Sequence, residues 1–408
     1  MTGLSRINNS GQWVSTVIGN GTDGESVGRF VIAYDGVRLD PYGTIPFRDD
    51  LVIGATPNRA RHTAINNHGQ IATGISGFLF DPEGNYQGQG SMLAIDGGVV
   101  VRSGEPTPLG VNYPTQFGSS QFILNDQGHL LANFDLFPNP FSTFETVIEF
   151  SPSESGYDQT VRIAPGMPLQ DGFNVRGDSP ANWGSFDLSN SGNTVTGTFV
   201  ANDDLIARPA IVVNGTIRRM SGPNDDYPDG NFNLSTRQVA INDSGEFAYS
   251  GIMASSDWDG GRWTVFRNED EIIWIDDGSD PLLDNWNFSS VRSISVTDGG
   301  DVFWQPRLED TTGETLSALF RNDVVIATSD PNFLGDALYI EGGFSFDISD
   351  NGQWIIFDTP GGIYRAMIPS PSAAAILALT ALSTTRRRRK PEIGARGASP
   401  GYRASAFP

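Results

Sequence analysis

Residues 241–251 read INDSGEFAYSG: an apolar residue, two polar turn formers, a serine, a glycine, then a β-prone run. Asn242 and Asp243 can hydrogen-bond their own backbone and tolerate turn dihedrals, and Gly245 supplies the positive φ that lets the chain reverse. The phrase therefore reads as a turn between two strands. Its chemistry is conformational, and no catalytic group is built into it.

Working outward, the same phrase recurs as INNSGQWVS from Ile7, INNHGQIATG from Ile65, LNDQGHLLA from Leu124, LSNSGNTVTG from Leu188, VTDGGDVFW from Val296 and ISDNGQWIIF from Ile348. The seven motif glycines, Gly11, Gly69, Gly128, Gly192, Gly245, Gly300 and Gly352, are spaced by 58, 59, 64, 53, 55 and 52 residues. Such a period marks one supersecondary unit per copy.

Between the phrases lie further short runs rich in β-branched and aromatic residues: GRFVIAYDG, PAIVVNG and RWTVFRNEDE, then TIRRMSG and EIIWIDDGS, then RHTAI, SSQFIL and FSFDI leading back into the motif. Each copy amounts to about four strands, the content of one propeller blade. An amphipathic sheet must cover its faces with neighbours, and radial closure protects the strand edges. The expected fold is an all-β, seven-bladed β-propeller with an incomplete last blade. A linear β-solenoid is the structural alternative, and the long repeat argues against it.

The innermost strands are expected to follow the motif glycines, with Trp13, Phe247 and Trp354 near the sheet interfaces. Copy seven supplies QWIIFDT and GIYRAMI before Pro369 and Pro371 end the domain. The expected organisation is a propeller over 1–367, a sorting segment over 368–390 that includes a short helix outside the domain, and a disordered tail over 391–408. The strands lacking from copy seven and a signal peptide are expected from an upstream extension of the reading frame.

The chain of 408 residues holds 26 basic and 48 acidic side chains, a net charge of −22. Seven of the basic residues and one acidic residue lie in 386–408, so the remainder holds 19 against 47, a net of −28. That body repels phosphate backbones, which disfavours nucleic-acid partners. Cysteine is absent, which rules out disulfides and thiolate metal sites.

From Ile368 the chain runs IPSPS, then AAAILALTAL over 373–382, then STT and RRRRK. The apolar run is shorter than the roughly 20 residues of a standard membrane helix. The order of proline break, apolar run and arginine block nonetheless suits a transient membrane stop. It resembles the PEP-CTERM sorting signal handled by an exosortase, on the strength of Pro369, Ser370, Pro371 and Arg386, Arg387, Arg388 and Arg389. Ser370 stands where that signal usually has Glu, and residues 391–408 follow the basic block. The repeat region resembles bacterial tandem-repeat proteins named for an Asn-x-x-Gly-x-x-Ala-Phe unit, matched best by Asn242, Gly245, Ala248 and Tyr249. Together the resemblances imply an exported bacterial protein of the cell surface, transiently held in the inner membrane, with an exosortase-type enzyme as processing partner and extracellular polysaccharide or surface proteins as binding partners.

Candidate chemistry is sparse. His62, His68 and His129 are the only imidazoles and lack ligand spacing. Acidic loops offer outline cation cradles: Asn224, Asp225, Asp226, Asp229 and Asn231; Asp257 and Asp259; Asp276, Asp277 and Asp280. None follows the full calcium-loop pattern, so no cofactor is expected, with Ca²⁺ at the acidic loops as the minor alternative. The expected function is a non-catalytic binding, adhesion or structural module. The competing class is a secreted propeller hydrolase or lyase acting on polysaccharide from the channel mouth.

Overall fold

The computed structural model describes residues 5–20, 26–40, 44–54, 60–117, 121–139, 142–176, 185–202, 207–227, 230–254, 261–269, 271–276, 286–330, 337–340 and 344–368. These form seven separate antiparallel-rich sheets in chain order, the seven blades of a β-propeller. Blade 1 shows the plan: Arg6–Ile7 pairs with Trp13–Asn20, which pairs with Ser26–Ala33, which pairs with Gly36–Leu39. Among the described residues blade 7 has three strands, Ser345–Ile348, Trp354–Thr359 and Gly362–Met367, as its incomplete repeat anticipates. The sorting residues Pro369, Ser370, Pro371 and Arg386 to Arg389, with the expected helix, lie outside the described residues.

One expectation is corrected. The innermost strands precede the motif glycines: Arg6–Ile7, Ala60–Ile65, Phe122–Leu124, Phe186–Leu188, the end of Gly230–Ile241, the end of Asn287–Val296, and Ser345–Ile348 supply the channel wall. The strand after each glycine is second from the axis. Its position explains its composition, because both of its faces lie under neighbouring blades, and Val14, Leu130, Leu131, Val195, Val302 and Trp304 there are fully buried.

Apolar clusters fill six of the seams between blades. Val14, Val31 and Ala33 meet Ile65 and Ile71 between blades 1 and 2, and Leu131, Val147 and Ile163 meet Phe186 and Leu188 between blades 3 and 4. Between blades 5 and 6 the Trp304 ring stacks on Phe320 at 4.3 Å and meets Trp274 at 4.7 Å. Phe247 joins the seam of blades 4 and 5 beside Val195 and Ile211, as expected for it. Trp13 is half-buried.

The seam that closes the ring is built differently. Among the described residues it is polar: Ser5 donates through its backbone amide and hydroxyl to Asp358, each at 2.7 Å, and Arg6 meets Asp347 at 3.1 Å. An apolar contact at this seam is made by Trp354, whose ring lies on Gly11 so closely that a Cβ there would sit 2.8 Å from the indole. Arg365 lies over that indole, 4.9 Å from its centroid, and donates to the Gly11 carbonyl. The sheets of blades 1 and 7 thus meet without sharing a strand.

Candidate functional site

The inner strands all run toward their motif turns, so equivalent residues form layers around a central channel of about 300 Å³. The first layer is the turn itself. The residue after the apolar motif start is Asn8, Asn66, Asn125, Ser189, Asn242, Thr297 or Ser349, and all seven are buried. Their side-chain oxygens accept amides of their own turn: Asn66 Oδ1 takes those of His68 at 3.1 Å and Gln70 at 2.9 Å, and Ser189 Oγ takes that of Asn193 at 3.0 Å. Asparagine also carries an amide donor that reaches the next blade, whereas the hydroxyls of Thr297 and Ser349 donate within their own turns. Asn8 Nδ2 reaches the carbonyl of Asn66 in the next blade at 2.9 Å, Asn66 reaches Asn125 at 3.0 Å, and Asn242 reaches Thr297 at 2.9 Å.

The next residue of each turn completes a circle. The Asn9 amide donates to Asn67 Oδ1 at 2.7 Å, Asn67 to Asp126 at 2.7 Å, and Asp126 to Asn190 at 3.0 Å. Ser191 donates to Asp243 at 2.9 Å, Asp243 faces Asp298 at 3.5 Å, and Asp298 donates to the Asp350 carbonyl at 2.7 Å. The amide of Asn351 then donates to Asn9 Oδ1 at 2.8 Å and closes the ring. The motif is therefore a clasp between blades as well as a turn, which is why an amide or carboxylate recurs at this position.

Asp350 crosses this mouth. Its Oδ2 accepts from Asn190 of blade 4 at 2.7 Å and Asn67 of blade 2 at 3.3 Å. Water reaches it, yet the converging turns enclose it, and that desolvation, aided by Asp298 and Asp187, pushes its carboxyl to about 7. Burial likewise raises Asp298, beside Asp243.

Deeper in, one residue before the motif start, stand Arg6, Asp187 and Asp347. Asp187 Oδ2 accepts the amide of Ile241 in blade 5 at 2.9 Å. Asp347 Oδ2 accepts that of Ile7 in blade 1 at 2.9 Å. Burial pushes Asp187 up to about 6 against the opposing pull of the Ile241 and Leu188 amides and Arg6, and burial raises Asp347 too. Both aspartates sit in the phrases Phe-Asp-Leu (186–188) and Phe-Asp-Ile (346–348), a recurrence that could have exposed the latch in the sequence.

At the far mouth, blades 3 to 6 contribute Gln121, Ser185, Gln238 and Arg292. Arg292 is the extra residue of a β-bulge, since Val291 pairs with Pro306 and Ser293 with Gln305. Nothing in the sequence singled it out.

The expected site residues scatter elsewhere. His62 packs edge-on to Phe122 at 6.2 Å, and His68 lies in its turn. His129 Nδ1 pairs with buried Glu149 at 2.6 Å, which Arg162 also meets. Asn224, Asp225 and Asp226 lie in strand Gly222–Tyr227 and Asn231 in Gly230–Ile241, the arms of a hairpin in blade 5. The Asp276 amide bonds the Trp263 carbonyl at 2.9 Å. Asp229, Asp257, Asp259, Asp277 and Asp280 lie outside the described residues. No group of three or more His, Asp or Glu among the described residues is arranged to hold a metal ion.

The seven sheets around one channel, clasped by their turns, make this chain a seven-bladed β-propeller protein. No protein-family model matches the chain, and no curated protein sequence matches it. Solved structures similar to it include the β-propeller domain of the trilobed protease from Pyrococcus furiosus, at 9% identity over 89% of this chain and 94% of that one, with a TM-score of 0.42. Another is acylaminoacyl peptidase from Pyrococcus horikoshii, at 10% identity over 92% of this chain and 51% of that one, TM-score 0.41. The WD40 domain of SCAP from fission yeast is similar at 12% identity over 91% and 81%, TM-score 0.34.

Proposed function

We propose that the protein is a surface-displayed bacterial propeller that acts as a non-catalytic binding module, carried outward by its C-terminal sorting segment. The observation that favours binding over catalysis is the employment of the channel's acidic groups. Asp187 and Asp347 each accept a backbone amide from the next blade, and Asp350 spans the mouth between two asparagines. These carboxylates serve the integrity of the ring. The sorting half of the proposal rests on Pro369, Pro371, the apolar run and Arg386 to Arg389.

The test expresses the tagged full-length chain in a Gram-negative host with and without an exosortase. The expected result is exosortase-dependent release of the region after Ile368, read by intact mass, and a product in the surface or extracellular fraction. An unprocessed cytosolic product in both hosts overturns it.

One observation favours the polysaccharide hydrolase or lyase reading. Asp350, at about 7 beside Asp298, is protonated in good part at neutral pH, as a general acid must be. On that reading Asp350→Asn abolishes release of sugar ends from a polysaccharide panel. On the binding-module reading neither protein releases any.

A further inference from the structure

The far mouth of the channel holds an arginine with no role in the ring. Arg292 lines the cavity and makes no hydrogen bond or ion pair with any described residue. The remainder of the chain outside the basic tail has few cations and a large acidic excess, so an uncommitted guanidinium in a concave site stands out. A β-bulge places it there, and bulges are a recurrent way of re-aiming a side chain at a site. Beside it stand the neutral polar side chains of Gln121, Ser185 and Gln238 on the three preceding blades; Arg307 adds a second positive charge nearby, and the carboxylates of Asp187 and Asp347 lie deeper in the channel.

We propose that this mouth binds a single carboxylate carried on a polyhydroxylated ring, the chemistry of a uronic acid residue, with Arg292 as the carboxylate-binding side chain. The planar guanidinium presents two parallel N–H donors that match a carboxylate, a geometry no lysine offers. Gln121 and Gln238 offer donors and acceptors of the kind that pair with sugar hydroxyls. The whole channel, at about 300 Å³, is at the small end of ligand pockets, so its mouth suits one ring better than a chain. Charge decides the valence: the acidic body repels a polyanion along its length, whereas one carboxylate on one arginine needs only local attraction, because surface charges beyond about 8 Å are screened at physiological salt.

The inference rests on the binding-module reading and names its ligand class. The experiment measures binding of D-glucuronate, D-glucose and acetate to the full-length chain by saturation-transfer NMR and calorimetry, with Arg292→Ala, Arg292→Lys and Gln238→Ala. Glucuronate is expected to bind at least tenfold tighter than either glucose or acetate. Arg292→Ala removes that preference, Arg292→Lys restores part of it, and Gln238→Ala weakens glucuronate while leaving acetate unchanged. The melting temperature of Arg292→Ala is expected to match the parent, since no described contact is lost. Equal glucuronate binding by parent and Arg292→Ala, no binding by the parent, or equal binding of glucose overturns the assignment. Processing and localisation are measured without any sugar, so failure here leaves the surface-display test standing on its own result.

Discussion

The amide of Ile7 donates to the Asp347 carboxylate at 2.9 Å, the same bond at the same length that the amide of Ile241 makes to Asp187. Blades 7 and 1 are thus joined by the device that joins blades 4 and 5. The consequence is that both aspartates should matter, Asp347 the more because it also pairs with Arg6. Asp347→Ala and Asp187→Ala each leave a buried amide without its acceptor, and each is expected to lower stability by about 1.5–3 kcal/mol, the range for a hydrogen bond to a charged group. Urea denaturation of the two variants checks this. A large loss for Asp187→Ala with none for Asp347→Ala would show that the ends are not joined in solution.

The asparagine of the motif makes two kinds of bond, and substitution can separate them. Asn66→Asp keeps the acceptor for His68 and Gln70 but loses the donor to Asn125 and sets a carboxylate against that carbonyl. A loss of about 1–3 kcal/mol is expected. Asn66→Ser imitates the natural Ser189, keeps a turn acceptor and gives up the Nδ2 bonds to Asn125 of the next blade and to Gln70. It should cost less, because no carboxylate then faces the Asn125 carbonyl, and no loss from either variant in thermal melts would deny the seam bond any weight.

Acidity should stabilise this ring over a range in which many proteins are indifferent. Asp350 at about 7 and Asp187 at about 6 hold protons in the folded state that the unfolded chain, with carboxyls near 3.9, has released. Because the folded state binds more protons, stability falls as pH rises from about 4 to about 7 and levels off above. Asp350→Asn retains an acceptor for Asn190 and Asn67 without the charge. It is expected to raise the melting temperature at pH 8 and to change it little at pH 5. A melting temperature that climbs steadily from pH 5 to 8 in the parent would contradict the burial of these charges.

How far the sequence reached is visible in particular residues. The turns were legible because Gly11, Gly69, Gly128, Gly192, Gly245, Gly300 and Gly352 all adopt positive φ, from 67° to 88°, and that demand leaves a mark on composition. The inner strands were misplaced because they are short: Arg6–Ile7 and Phe122–Leu124 span too few residues to show a period, while the apolar run after each glycine looks like the heart of the fold. The clasp was invisible for a different reason. Asn9 and Asn67 bond across 58 residues, and nothing local distinguishes an asparagine facing a neighbour from one facing water. Arg292 was hidden by its bulge, since an extra residue in one strand appears only when its partner Arg307 to Gln305 stretch is paired with it.

The last prediction separates backbone strain from packing at the closing seam. Gly11 and Gly192 occupy equivalent turns with φ of 74° and 88°, so alanine at either must adopt the left-handed region, at a cost of about 1–2 kcal/mol. Gly192 has open space where a Cβ would go, and Gly192→Ala should pay that conformational term alone. At Gly11 the added carbon would fall within 3 Å of the Trp354 indole, and Arg365 both packs over that ring and donates to the Gly11 carbonyl, so moving the ring disturbs the Arg365 contacts as well. Gly11→Ala is therefore expected to lose clearly more stability than Gly192→Ala. Combining it with Trp354→Leu, which trims the obstructing ring, should recover the excess, and the non-additivity is the readout. Equal losses for the two alanine variants, or strict additivity with Trp354→Leu, would mean that the indole does not lie on Gly11 and that the ring closes by some other contact.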